Sequence, residues 1–350
     1  MSTLEKKAAG KVVVVTGASA GVGRAVVQRF AADGARLALI ARDAEALEEA
    51  RAEAERLGAT AAAFPLDVAD AEAVFSAARE IESRLGPIDI WINNAMVTVF
   101  SKLWDLDPEE FRRVTEVTYF GYVYGTMAAL QHMRARDRGT IVQVGSALAY
   151  RAIPLQSPYC GAKHAVRGFT DSLRTELLHE QSSIKLTMVQ LPAVNTPQFD
   201  WARTHMPGEP RPVPPVVKPD AVADAIFRTA LSPRREVWVG ATTLKVILGN
   251  FLAPGYIDRY LARNVVEAQS RGRTPAAGRR DNLFHPVAGL HRKEGAFGEE
   301  ASRSALALSE NSARMLAVLG GIGLAALAGY GLTRALPAGS ARPKEPGRFS

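Results

Sequence analysis

Between Lys11 and Val239 the chain alternates seven short runs rich in β-branched residues with six longer stretches whose apolar positions recur at helical spacing. This alternation restricts the fold more than any other feature. A strand, a helix and a second strand in succession pack best as a right-handed crossover, and repeated crossovers build a parallel sheet covered on both faces. Strands are predicted near Val12–Val15, Leu37–Ala41, Ala61–Pro65, Ile88–Asn93, Thr140–Val144, Lys185–Leu191 and Glu236–Val239. Helices are predicted near Val22–Asp33, Ala44–Leu57, Asp70–Leu85, Pro108–Arg136, Pro158–Gln181 and Pro219–Leu231, several of them opened by Asp or Pro. The class is α/β: a doubly wound parallel sheet of about seven strands, followed by a C-terminal helical extension.

The pattern breaks at Gln198–Pro219, where seven prolines from Pro197 to Pro219 argue for a long irregular loop, the kind that is usually functional or disordered. After Val239 come an apolar segment, Leu244–Tyr256, and a basic stretch in which Arg271, Arg273, Arg279, Arg280, Arg292 and Lys293 face one acid, Asp281. Leu244–Tyr256 reads as a lid over a substrate cavity or as a surface segment. The basic stretch reads first as a solvated linker and second as a membrane-headgroup contact; without an accompanying recognition motif it does not argue for nucleic acid. With 350 residues, 47% hydrophobic and 23% charged, the chain is globular rather than disordered. Its single cysteine, Cys160, excludes an intrachain disulfide and suits a reducing compartment. The apolar run after Lys6, Lys7 and Lys11 is too short for a signal-peptide core, so the catalytic part is expected in the cytoplasm.

Thr16-Gly17-Ala18-Ser19-Ala20-Gly21-Val22-Gly23 joins the first strand to the first helix. Glycines there let backbone amides and a helix N-terminus approach a pyrophosphate, although the same residues also make a plain tight turn. At the end of the second strand an acid would bind an adenosine ribose and an arginine a 2′-phosphate. The chain has Arg42 there, followed by Asp43, which favours NADP(H) over NAD(H) unless Arg42 is only a solvated loop residue. Asp67 after the third strand is positioned to accept a bond from adenine or to cap the next helix.

Tyr159 and Lys163 stand four residues apart, on one face of a helix. A phenol titrates near 10, and a neighbouring ammonium favours its phenolate, which makes Tyr159 a proton carrier for a carbonyl–alcohol pair while a nicotinamide exchanges hydride. Ser146, ending the fifth strand, is placed to hydrogen-bond the developing oxyanion. A Tyr-x-x-x-Lys pair by itself also arises by chance.

Taken together, the glycine turn, Leu66-Asp67-Val68, Asn93-Asn94-Ala95, Ser146 thirteen residues before Tyr159, Lys163, and Pro192-Ala193-Val194-Asn195-Thr196 resemble the short-chain dehydrogenase/reductase (SDR) family from about Lys11 to Val239. The resemblance implies a Rossmann-type fold and a CH–OH oxidoreductase. In it, Ser146, Tyr159 and Lys163 are catalytic, with Thr118 where the family carries an active-site asparagine. It also implies a cofactor site of Gly17, Ser19, Gly21, Val22, Gly23, Arg42, Asp67, Val68, Asn94, Ala95, Tyr159, Lys163, Pro192, Val194 and Thr196, with Thr196 at the carboxamide and Asn93 structural. No metal is expected. Met96 replaces a family glycine, Ala162 a serine, and Ala193 the glycine after Pro192. Thr118 matters most, because a threonine lacks the amide that supports the proton relay to the lysine.

The expected organisation is a catalytic domain at 1–240, an extension at 241–312, a membrane helix at 313–334 and a basic tail at 335–350. Met315–Thr333 carries no charge and would extend about 29 Å as a helix, near the ~30 Å of a bilayer core. Gly321, Ala325 and Gly329 give it a small-residue stripe. It reads as a membrane anchor or as a soluble oligomerisation helix. The expected ligand is an apolar, lipid-like carbonyl or alcohol. The competing functions are a cofactor-binding sensor or scaffold with little turnover and, less well matched by the glycine spacing, a sugar-nucleotide epimerase or dehydratase.

Overall fold

The computed structural model describes residues 6–313 and 315. The described residues up to Glu310 form one compact body. At its centre lies an eight-stranded sheet: β1 Val12–Thr16, β2 Arg36–Ala41, β3 Thr60–Pro65, β4 Ile88–Asn93, β5 Thr140–Ser146, β6 Lys185–Leu191, β7 Glu236–Val239 and β8 Ala307–Ser309. The order across it is β8-β7-β6-β5-β4-β1-β2-β3. Every pairing is parallel except the last, where β8 runs antiparallel to β7 (Val237 opposite Ser309). The seven predicted strands match to within two residues at each end. The eighth, three residues long, has too little periodicity to be read from sequence.

The helices are α1 Gly21–Ala31, α2 Ala44–Arg56, α3 Ala71–Leu85, α4 Pro108–Thr115, α5 Gly121–Met133, α6 Ser157–His179, α7 Pro219–Leu231, α8 Ala241–Leu252 and α9 Pro254–Ala268. Asp43 and Asp70 start α2 and α3 by accepting from Ala46 and Ala73 amides. Side chains of β1 alternate between two buried layers. Val13 and Val15 join Phe30 of α1 and Phe227 of α7, while Val12 and Val14 join Ile81 of α3 and Met133 of α5. Full burial on both faces explains the uninterrupted Val12–Val15 run.

The helix predicted at Pro108–Arg136 is helical throughout, with one wide turn at Glu116–Phe120 that buries Val117 and Thr118. Two expectations are corrected. Gln198–Pro219 is not wholly irregular: it holds a helical turn at Gln198–Trp201 and two-residue strands at Arg203–Thr204 and Val216–Val217. The basic stretch is no solvated linker. Arg271 and Arg292 pair with Asp200 at 3.0 and 2.7 Å, and Lys293 pairs with Asp220 at 2.9 Å. These acids lie about 70–90 positions away in sequence, so no local pattern reveals them.

Among the described residues no helix is long and apolar enough to cross a membrane. The Met315–Thr333 reading falls, beyond Met315, outside those residues.

Candidate active site

Strand order reverses beside β1, where β2 and β4 flank it and the chain leaves toward opposite sides. In such sheets the loops at the carboxyl ends of the strands diverge and leave a crevice. A cleft of about 530 Å³ opens there. The β1 loop supplies Gly17, Ser19, Gly21 and Val22 to its lining; β2 supplies Arg42, β3 supplies Asp67 and Val68, and β4 supplies Asn94 and Ala95. Ser146 comes from the end of β5, Tyr159 and Lys163 from α6, and Pro192, Val194 and Thr196 from the loop after β6. Two residues singled out from sequence, Gly23 and Thr118, do not line it.

Gly23 acts from behind. A Cβ there would lie 2.0 Å from the Gly17 carbonyl oxygen, so glycine lets α1 sit tight against the β1 turn. Gly17 adopts φ +68°, a region that favours glycine. The turn is braced by the Thr16 hydroxyl, which accepts from the Asn94 and Ala95 amides at 2.9 and 3.1 Å. Unlike α2 and α3, α1 starts at Ala20 with no side-chain cap and no acid in its first turn. Its N-terminus therefore presents positive dipole to the cleft, where an anion would fit.

Asp67 does not cap α3, which Asp70 starts; its carboxylate accepts from Ala69 N at 3.0 Å ahead of the helix and also pairs with Arg113. Asn93 is fully buried and donates to Gln143 Oε1 at 2.9 Å and Thr126 Oγ at 3.1 Å while accepting from Trp91 Nε1 at 2.9 Å, which ties β4 to β5 and α5.

At the cleft floor, Lys163 is 2% exposed. Its ammonium donates to the Tyr122 hydroxyl and to the Val144 carbonyl, both at 2.8 Å, and lies 5.7 Å from the Tyr159 ring centre. Burial pulls its pKa down to about 7. The same desolvation pushes the Tyr159 phenol well above its ordinary value, and a hydrogen bond with Ser146 opposes that rise. Ser146 Oγ also accepts from Leu148 N at 3.1 Å, which holds it at the strand end.

Tyr122, behind the cleft lining, supports Lys163 and was missed by sequence reasoning. It is 1% exposed, donates from its hydroxyl to Val144 O at 2.9 Å, and stays a phenol because burial raises its pKa. Its link to Lys163 spans 41 positions, so only the packing of α5 against α6 and β5 reveals it. Thr118 serves elsewhere: its hydroxyl donates to Val97 O at 2.9 Å and accepts from Val97 N at 3.1 Å, locking the wide turn to the β4 loop.

Beyond the polar floor, Thr242 and Val246 of α8 and Tyr260, Leu261 and Val265 of α9 wall the cleft, so the segment around Leu244–Tyr256 contributes to its cover. Phe251, Leu252 and Tyr256 lie exposed on the outer side.

The family model for short chain dehydrogenases matches residues 11–206. An oxidoreductase of Bacillus subtilis (strain 168), YxnA, is 32% identical over 301 residues, 85% of either chain. Dehydrogenase/reductase SDR family member 7B of Bos taurus is 39% identical over 191 residues, 53% of this chain and 58% of its own length. A solved structure described as a short-chain alcohol dehydrogenase from Sinorhizobium meliloti 1021 superposes with a TM-score of 0.50 at 32% identity, covering 53% of this chain and 73% of the other.

Proposed function

The chain belongs to the short-chain dehydrogenase family, an oxidoreductase family that uses a nicotinamide dinucleotide, and on that premise we propose that it is an NADP(H)-dependent enzyme interconverting a carbonyl and an alcohol, with Tyr159 as acid/base. The observation that carries this reading is the convergence of Ser146, Tyr159 and Lys163 at the floor of a cleft whose other end is the N-terminus of α1, which carries no side-chain cap.

The cofactor, when bound, supplies hydride exchange at its nicotinamide ring. The chain's own residues handle the rest. Gly21 N is taken by Arg292 O, so the other amides of the glycine turn and the start of α1 would hold the pyrophosphate. The Ser146 hydroxyl donates to the substrate oxygen and orients the carbonyl toward Tyr159. Tyr159 gives its phenolic proton to that oxygen in reduction and takes it back in oxidation. The Lys163 ammonium stabilises the phenolate left behind, with Tyr122 and Val144 O holding it in place. Arg42 at the end of β2 supports NADP(H), as a guanidinium suited to a 2′-phosphate. Apolar Val246, Leu261 and Val265 support an apolar substrate.

The test is oxidation of NADPH, with NADH in parallel, against hydrophobic aldehydes and ketones by the full chain and by Tyr159→Phe. Turnover that prefers NADPH and is lost in Tyr159→Phe is expected. Tight NADPH binding without turnover on any compound would instead favour a sensor or scaffold.

A further inference from the structure

The chain that follows α9 does not leave the molecule. It returns across the cofactor-binding loops and touches three of them in sequence. At the β2 loop, Arg42 Nη1 donates to Leu283 O at 3.2 Å and Phe284 O at 2.9 Å, and its Nη2 donates to Asn282 O. At the β1 loop, Arg24 Nη1 donates to His291 O at 2.6 Å, Gly21 N donates to Arg292 O at 3.0 Å, and His291 Nδ1 lies 3.1 Å from Ser19 Oγ. Beyond the β6 loop, Gly295 N donates to Asn195 O at 3.2 Å and Phe297 N to Asn195 Oδ1 at 2.9 Å.

This strap is seated rather than laid on. Leu283, Val287 and Phe297 are buried at 0, 5 and 6% exposure, and Gly295 sits so close that a Cβ would lie 2.3 Å from Thr196 O. With the strap in place the cleft still stands open, and Asn282, Pro286, Val287 and His291 are part of its wall.

Building on the NADP(H) reading, we propose that residues 282–297 are a cofactor-specificity element: three strap carbonyls fix the Arg42 guanidinium for a 2′-phosphate, and His291 closes the adenosine end beside Ser19 and Asp43. A guanidinium has five N–H donors in a rigid fork. The strap carbonyls take three, which leaves two to bind a phosphate. A free arginine would have to freeze its long side chain on binding, whereas the carbonyls order Arg42 in advance and place their negative ends against its charge. His291 Nε2 lies 3.3 Å from an Asp43 carboxylate oxygen, which places the same loop beside the strap a second time. The family model ends at residue 206, so this wall comes from chain outside the matched region.

The experiment compares 2′,5′-ADP with 5′-AMP, which differ by the 2′-phosphate alone, as ligands of the full chain. Calorimetric titration of the wild type should give roughly tenfold or greater preference for 2′,5′-ADP, the scale of a charge-assisted contact. Leu283→Ala, which removes the buried anchor beneath those carbonyls, should cut that preference by about fivefold or more while leaving 5′-AMP affinity within about twofold. An unchanged preference, or a stronger one, overturns the proposal. Amide exchange on the wild type gives an answer even if the variant fails to fold: 2′,5′-ADP should slow exchange at 282–291 more than 5′-AMP does. Faster exchange would mean that phosphate displaces the strap, and equal exchange that the strap ignores it; either result refutes the idea. Failure of the wild type to bind either ligand would refute the dinucleotide reading itself, and equal binding of both would refute the role of Arg42.

Discussion

Replacing Tyr122 by Phe removes one oxygen atom from behind the cleft floor, where it touches Lys163. That oxygen accepts from the Lys163 ammonium at 2.8 Å and donates to Val144 O at 2.9 Å. In the variant, Val144 O keeps its bond from Lys163, and the ring keeps its place 4.4 Å from the ammonium, so the loss falls mainly on the charged lysine. A hydrogen bond to a charged group contributes about 1.5–3 kcal/mol, and the neutral amine forfeits a smaller part of it. A net preference of about 1.4 kcal/mol against the ammonium corresponds to about one pH unit. Burial holds the Lys163 pKa at about 7, so its protonated fraction at pH 7.5 should fall about eightfold, while at pH 5.5 it should fall by only about a fifth. The assay is kcat/KM for NADPH-dependent carbonyl reduction from pH 5.5 to 8.5. The alkaline limb should move to lower pH with the acid-side plateau largely intact, and stability at acid pH, where the lysine is charged, should fall by about 1.5–3 kcal/mol. A uniform loss at every pH would mean that Tyr122 is merely a packing residue. An unmoved profile would mean that Lys163 does not act as a cation.

Thr118→Val should behave in the opposite way: it leaves the Val97 amide and carbonyl without their partner, so thermal unfolding should show a loss of about 1–3 kcal/mol. The alkaline limb should stay where it is, because the hydroxyl makes no bond to Lys163; a shifted limb would restore Thr118 to the relay. His291 should make the body weaken in acid. Burial lowers its pKa, so below about pH 6.5 the unfolded chain binds a proton that the folded chain refuses, and stability falls as pH drops through that value. Thermal midpoints of the wild type and His291→Gln between pH 7.5 and 5.5 should differ in slope, with the glutamine variant the flatter; parallel slopes would exonerate His291.

How much of this was legible in advance depended on the distance over which each feature is decided. Strand and helix spans could be read because the sheet is buried on both faces, and that burial writes itself into continuous runs such as Val12–Val15. The glycine turn was legible for a similar reason: a φ of +68° at Gly17 and the 2.0 Å approach at Gly23 tolerate no other residue well. Tyr159 and Lys163 announced themselves by lying one helical turn apart. Arg42 was located correctly at the end of β2, yet its actual partners are carbonyls some 240 positions later.

The sequence alone therefore determined the doubly wound sheet, the loops that meet at its carboxyl edge and the Tyr159–Lys163 pair on α6, since each follows from local periodicity or steric necessity. Tertiary structure decided the rest: the wide turn that commits Thr118 to Val97, the Tyr122 hydroxyl that holds Lys163, and the strap that brings His291 to Ser19. These contacts join side chains to whatever packing brings within about 3 Å, and polar contacts of that kind carry no period and no fixed spacing along the chain.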